Sequence, residues 1–410
     1  MKKTTTLLSL ITLLALNVEA SSVQERLQAL EEQNELLTEE ILNAKSGSFT
    51  TVQEGKSHNG LGDAASKVYY SESPLSIGGY GEMYWAKKKD KNSFADVYRF
   101  IPYFGYKFSD TIILNTELEI EHGGAEVAIE FMYLDFLLSK SYNVRVGNLL
   151  VPLGITNLRH EPTLFNTIQR PDIEKFLIPS TWHENGVLAY GEFEDVGISY
   201  TAGMINSLNL NSQYTTDINA EKRGQWIRKG RQGSKEKAPF KPAFVGRLDY
   251  RGINGLVVGV SDYFGSASNL KKGEDKGGAT MNIVDFHTVY QKGAFSFKGL
   301  YTQSNLINAE KFGDDTTTLA SGYYVNASYD ISSIVGLSMK LPLFAQYESY
   351  NPIEETVSQK GELKSINNLT FGFNLYPTDQ VVLKADFLIQ DDKNRDETTN
   401  TVSLGLGFIF

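Results

Sequence analysis

The 410-residue chain is 41% hydrophobic and 21% charged, which excludes a disordered chain and a bundle of transmembrane helices. It has no cysteine, which excludes disulfides, Cys-ligated zinc and thiol catalysis, and its net charge of -10 argues against nucleic acid as a partner. Aromatics reach 12%, with 36 Gly and only 11 Pro, a mixture that suits many strands joined by turns.

At the N-terminus, Lys2 and Lys3 precede an apolar run from Leu7 to Leu16, and Val18-Glu19-Ala20 fits a small-residue cleavage site. Residues 1–20 therefore read as a secretory signal peptide. Val23, Leu27, Leu30, Asn34, Leu37, Ile41 and Ala44 then follow heptad spacing. This predicts a short periplasmic coiled-coil helix over 21–45, with Asn34 setting its register. Three heptads do not hold a lone helix in water, so the seam points to a homo-oligomer, taken as a trimer. Residues 46–74 are polar and punctuated by Gly47, Gly55, Gly60 and Gly62, which reads as a flexible linker.

From Leu75 to Phe410 the dominant period is two. Phe100, Pro102, Phe104, Tyr106 and Phe108 share one face opposite Arg99, Ile101, Tyr103, Gly105 and Lys107. Phe244, Leu248 and Tyr250 lie opposite Arg247, Asp249 and Arg251, while 126–139 drifts out of alternation. Strands of about ten residues with one apolar and one polar face are the pattern of a transmembrane barrel. Sixteen such segments can be placed, among them 186–194, 320–332 and 336–348. The chain is thus expected to be all-β, a sixteen-stranded antiparallel transmembrane β-barrel over 75–410. Connections alternate between short turns and mostly longer loops, and the even strand count puts both termini at the short-turn rim, in the periplasm. Such a barrel belongs in the outer membrane of a Gram-negative cell, in contact with lipid and lipopolysaccharide. In lipid every backbone amide and carbonyl must pair, so strands span only as a closed barrel.

The longest inter-strand segments are 151–185 and 207–241, and loops of that length usually have a function. The first is stiffened by Pro152, Pro162, Pro171 and Pro179 and is expected to fold inward as a constriction. It carries Arg159, Arg170 and Lys175. The second carries Lys222, Arg223, Arg228, Lys229, Arg231, Lys235, Lys237 and Lys241 against Glu221 and Glu236, enough to gather anions at a pore mouth. Parity places Arg99, Lys107, Arg145, Arg247, Arg251, Lys298, Lys340 and Lys384 in the lumen. It also places acids there, among them Glu82, Glu117, Glu119, Glu121, Glu126, Glu130, Asp249, Asp285, Asp330, Glu348 and Asp386. The candidate constriction and anion-binding set is Arg99, Lys107, Arg145, Arg159, Arg170, Lys175, Arg247 and Arg251. Cationic rings favour anions and acidic rings favour cations, so a cation-preferring pore is the competing reading, with Glu117, Glu119 and Glu121 as its filter. No two of the five histidines are spaced i,i+4, so no helical metal pair is expected, nor any cofactor or catalytic group.

Val146-Gly147-Asn148 through Val151-Pro152-Leu153-Gly154, and Ile178-Pro179-Ser180-Thr181-Trp182-His183-Glu184-Asn185-Gly186, resemble the stretches flanking the constriction loop of trimeric outer-membrane porins of the phosphate-selective porin O and P type. The resemblance implies a passive, non-enzymatic channel for small hydrophilic solutes, with phosphate or dicarboxylate anions preferred and lumen arginines of the Arg99, Arg145, Arg159 and Arg170 kind guiding them. An adhesin built on the same barrel is the alternative outside transport.

Overall fold

The computed structural model describes residues 31–32, 34–35, 50–210, 224–233, 235–268, 278–359, 365–393 and 395–410. Apart from Glu31, Glu32, Asn34 and Glu35, which are helical, the expected signal peptide and coiled coil lie outside the described residues.

Alternation resolves into sixteen strands. They are β1 (Leu75–Lys88), β2 (Phe94–Ser109), β3 (Ile112–Glu121), β4 (Glu126–Leu137), β5 (Asn143–Leu150), β6 (His183–Phe193), β7 (Ile198–Asn206) and β8 (Pro242–Ile253). The second half is β9 (Leu256–Ser266), β10 (Thr280–Lys292), β11 (Phe295–Ile307), β12 (Thr317–Asp330), β13 (Pro342–Thr356), β14 (Ile366–Thr378), β15 (Val381–Asp392) and β16 (Glu397–Ile409). Each pairs antiparallel with its sequence neighbours, and β1 closes on β16 with Tyr80 opposite Ile409 and Lys88 opposite Thr401. Closure leaves no unpaired edge, the condition for crossing lipid on strands. Among the described residues no helix is long and apolar enough to cross a membrane.

The two faces separate as the period predicts. Phe100, Phe104, Tyr106, Phe108, Phe244, Leu248 and Tyr250 are exposed on the outer wall, while Arg99, Ile101, Tyr103, Ala243, Val245 and Asp249 are buried on the inner one. The drift after Glu126 has a local cause. A register shift sets Glu117 opposite Phe131 and Leu118 opposite Ile129, so Glu130 is an extra residue and both Glu130 and Phe131 are buried. Glu126 pairs opposite the inward Glu121, on the inner face as expected, and is exposed there at the start of β4.

Two expectations are corrected. Strand β13 begins at Pro342 rather than 336, because Ser332–Val335 forms a helical turn ended by Gly336 at φ 73°, and it runs on to Thr356. The larger correction concerns 46–74. From Thr51 to Ser73 the chain is not a free linker but lies inside the barrel as a strap, with Leu61, Ala64 and Val68 buried and a short helix at Lys67–Tyr70. Burying Leu61 and Val68 contributes about 1.5–3 kcal/mol each. Gly105 on β2 admits the strap, since a Cβ there would lie 2.4 Å from the Val68 side chain.

Candidate functional site

The lumen holds two inserted segments, the strap and the 151–182 loop between β5 and β6. The loop is buried along most of its length, with Val151, Leu153, Ile173, Leu177, Ile178 and Trp182 at 7% exposure or less. Gly154 turns it inward at φ 70°, where a Cβ would meet Glu174 Oε2 at 2.5 Å. Glu174 is the loop's internal anchor. It accepts the Ile155 and Thr156 amides at 2.8 and 2.6 Å and the Tyr324 hydroxyl at 2.7 Å.

Wall residues counted as pore lining pin the backbone of this loop. Asp285 accepts the Gly154 amide (2.9 Å), Asp386 the Ile168 amide (2.8 Å) and Glu348 the Ile173 amide (3.2 Å). Lys384 donates to the Phe165 and Thr167 carbonyls, and Lys298 to that of Leu164. A buried amide or carbonyl left unpaired is costly, and these side chains supply the partners the loop lacks.

The strap crosses the lumen near the short-turn rim. Its Val52 carbonyl accepts from Gln380 (3.2 Å), and Glu54 pairs with Lys340 at 2.9 Å. His58 Nε2 meets the Tyr190 hydroxyl at 2.9 Å while its ring stacks on Tyr69 at 3.6 Å. The Ala64 and Ala65 amides donate to the Glu161 carboxylate at 3.1 and 3.0 Å, so the strap also holds the loop. On its two sides lie cavities of about 340 and 440 Å³. The first is lined by Glu54, Asp63, Arg159, Lys298, Lys340 and Asp379 among others. The second is lined by Lys140, Glu192, Glu194, Arg247, Asp249 and Arg251. Both mix the two signs of charge.

The structure places the eight candidate cations differently from a clean ladder. Arg99 is locked among Glu82 (3.1 Å), Glu121 (2.6 Å) and Glu119 (3.5 Å). Arg145 makes a bidentate pair with Asp135 at 2.9 and 2.8 Å. Arg247 and Arg251 share Asp249 at 3.0 and 3.1 Å, and His287 bridges Asp249 to Asp285. Lys107 donates to the Ser71 carbonyl of the strap. Arg170 is buried and donates to the Tyr80 hydroxyl and the His160 carbonyl. Arg159 stands 3.6 Å from Asp63, and Lys175 lies over the Phe176 ring. Only Arg159 and the Arg247 and Arg251 pair reach the two cavities, each with an acid beside it.

A cationic group missed as a site lies at the long-loop rim. Arg228 and Lys229 sit on a four-residue helix (Trp226–Lys229) of the 207–241 loop, anchored by buried Trp226, whose indole donates to the Pro352 carbonyl at 2.7 Å. With Arg231, Lys235, Thr181, His183, Gln225 and Gly233 they line a cavity of about 280 Å³, and the described lining residues include no acid. Arg228 and Arg231 both donate to the Ser180 carbonyl at 3.1 Å. Burial and then the neighbouring Arg228 charge weaken Arg231's hold on its proton, as expected of like charges held together. Lys222 and Arg223 of this loop lie outside the described residues. The net +5 of the 207–241 loop, with eight Lys and Arg against Asp217, Glu221 and Glu236, was the legible signal. Its convergence on the return of the 151–182 loop was not.

Comparison with known proteins bears on the whole chain. It is 32% identical over 366 residues to an uncharacterised protein of Aquifex aeolicus (strain VF5), covering 83% of this chain and 81% of that protein. No family model matches. Among solved structures it is similar to an anion-selective porin from Comamonas acidovorans (12% identical, TM-score 0.55, 82% of this chain and 99% of that one). It is also similar to the outer membrane channel DcaP of Acinetobacter baumannii (10% identical, TM-score 0.54, 82% and 97%). A third match is OmpF of Salmonella typhi (10% identical, TM-score 0.53, 82% and 97%). At these identities the likeness is one of fold, a sixteen-stranded porin barrel.

Proposed function

The chain belongs to one family with the Aquifex aeolicus protein and folds as a porin-type barrel, and from that premise we propose that it is an outer-membrane channel for passive diffusion of small hydrophilic solutes, with a preference for anions. The observation that carries the anion preference is the cavity of Arg228, Lys229, Arg231 and Lys235 at the long-loop rim, which has no acid among its described lining residues. In the two lumen cavities, Arg159, Arg247 and Arg251 each have a carboxylate beside them, and the fields of such pairs largely cancel beyond a Debye length of about 8–10 Å. The four rim cations, with no acid among the described lining residues, raise the local concentration of anions at the entrance. Phosphate and dicarboxylates fit this chemistry because they can bridge two guanidinium groups. The shared barrel of an anion-selective porin is consistent with this reading.

The test is single-channel recording in a tenfold potassium chloride gradient. Wild type should reverse on the anion side. Arg228→Gln with Arg231→Gln should reduce the chloride-to-potassium permeability ratio by roughly twofold or more. A wild-type channel that prefers potassium would overturn the anion reading.

A further inference from the structure

Behind the inward loop, β3, β4 and the loop bring three metal-ligating side chains together. Glu117 of β3 is fully buried, Glu130 at the β4 bulge is 1% exposed, and His160 of the loop is 2% exposed. His160 Nε2 stands 3.0 Å from Glu117 Oε1 and 3.8 Å from Glu130 Oε2, and one ligand atom from each residue falls within 4.8 Å of the others. Metal bonds of about 2.0–2.2 Å set neighbouring ligand atoms roughly 3.4 Å apart at tetrahedral angles, which this spacing brackets.

Two further observations point to a cation. The other imidazole nitrogen, Nδ1, lies 2.9 Å from the Asn157 carbonyl. A carbonyl only accepts, so Nδ1 carries a proton, and in the neutral ring Nε2 keeps a lone pair that faces the carboxylates and is free for an ion between them; a backbone carbonyl behind a ligating histidine is the usual orienting partner. Glu117 Oε2 and Glu130 Oε2 are buried without a hydrogen-bond partner, a cost that a coordinated ion removes.

We propose that Glu117, Glu130 and His160 bind a divalent transition-metal ion of the zinc and manganese class, which staples the inward loop to the β3–β4 wall. Two carboxylates and an imidazole suit that class, whereas calcium needs six or more oxygens and soft metals prefer sulfur ligands, which this cluster does not hold. None of the three ligands lines the cationic rim cavity, and metal content and ion preference are read by different measurements, so the loss of one is distinguishable from the loss of the other.

The full chain is refolded in detergent with Zn²⁺, freed of unbound metal and measured by elemental analysis. Folding of every sample is checked by heat-modifiable mobility. We expect about one ion per folded chain, falling at least tenfold in Glu130→Gln and in His160→Gln and unchanged in Glu184→Gln, another buried glutamate. Glu117→Gln replaces His160→Gln if the latter does not fold. Co²⁺ refolding gives a second readout, a d–d absorption band that disappears in the same variants. Folded wild type that retains no metal, the outcome in which a shared proton alone holds the cluster, overturns the proposal. Uptake that survives Glu130→Gln marks surface binding only and overturns it equally.

Discussion

Arg145 shows why a lumen-facing cation is not thereby an anion site. Its guanidinium is committed to Asp135 with both nitrogens, and the pair is buried beneath Tyr69 and Tyr190. A charge so paired presents almost no field to a passing ion. Nearby, His58 is a single residue on which the strap depends. Burial pushes it down to about 4, against the pull of Asp135 and with the help of Arg145. A histidine depressed in the folded state contributes stability that is complete above its unfolded value of about 6.5 and is lost as pH falls through the folded value. The window is therefore pH 6.5 down to about 4, and the full contribution is at most about 3 kcal/mol. Protonation would place a charge in this poorly solvated site beside the Arg145 guanidinium, only partly offset by Asp135 at 3.9 Å. We expect wild-type conductance to rise or become noisier as pH drops from about 7 to about 4.5, and His58→Gln, which keeps a partner for Tyr190 without titrating, to lack that component. Identical pH profiles for the two channels would remove His58 from the strap's control.

At the scale of elements, the strap and the inward loop decide how open the pore is. Replacing Thr51–Ser73 by a Gly/Ser linker of equal length should leave a folded, heat-modifiable barrel, because all strand pairings are made without it. The same change should raise single-channel conductance by roughly twofold or more, by joining the cavities on either side of the strap. Unchanged conductance would mean that ions do not pass beside the strap. Sequence made the strands legible because the inner and outer walls impose a strict period of two, and the spans from β1 to β11 follow it closely apart from a few residues at either end. It misplaced β13, where a helical turn at Ser332–Val335 imitates the start of a strand. It missed the strap because Gly55, Gly60 and Gly62 look like linker residues, although Gly62 gives Glu161 room to reach the Ala64 and Ala65 amides. Parity also told correctly that Asp285, Glu348, Asp386 and Lys384 face inward, but not that they meet loop backbone there instead of water. The Glu117, Glu130 and His160 cluster was invisible for a related reason. Its members come from two strands and a loop, and parity, which places Glu117 and Glu130 in the lumen, does not tell that they meet each other and His160 there.

For the whole molecule, topology and assembly remain to be tested. Strand β1 begins and β16 ends at the rim of the turns at Asp110, Gly255 and Gly293, and an even strand count keeps both there. A tag inserted at Asp110 should be hidden in intact cells, and one at exposed Gly313 in the β11–β12 loop should be labelled; the reverse pattern would invert the barrel. The outer wall is apolar on every side sampled, from Phe100 and Phe108 through Phe244 and Phe286 to Phe371 and Leu404. In lipid such a wall has no hydrophobic drive to self-associate, so any barrel contact within a trimer must come from close packing. A coiled coil over 21–45, as the heptad spacing leads us to expect, would add three heptads, too few to be helical alone. In a trimer held by its barrels, effective concentration would offset that weakness, since tethered helices meet at far higher local concentration than free ones do. The barrel is therefore expected to lead and the coil to follow. Deleting Val23 to Ala44 should leave trimers in mild detergent while lowering their dissociation temperature, and Asn34→Leu should raise it at the expense of register. Monomers from the deletion would assign the trimer to the coil instead.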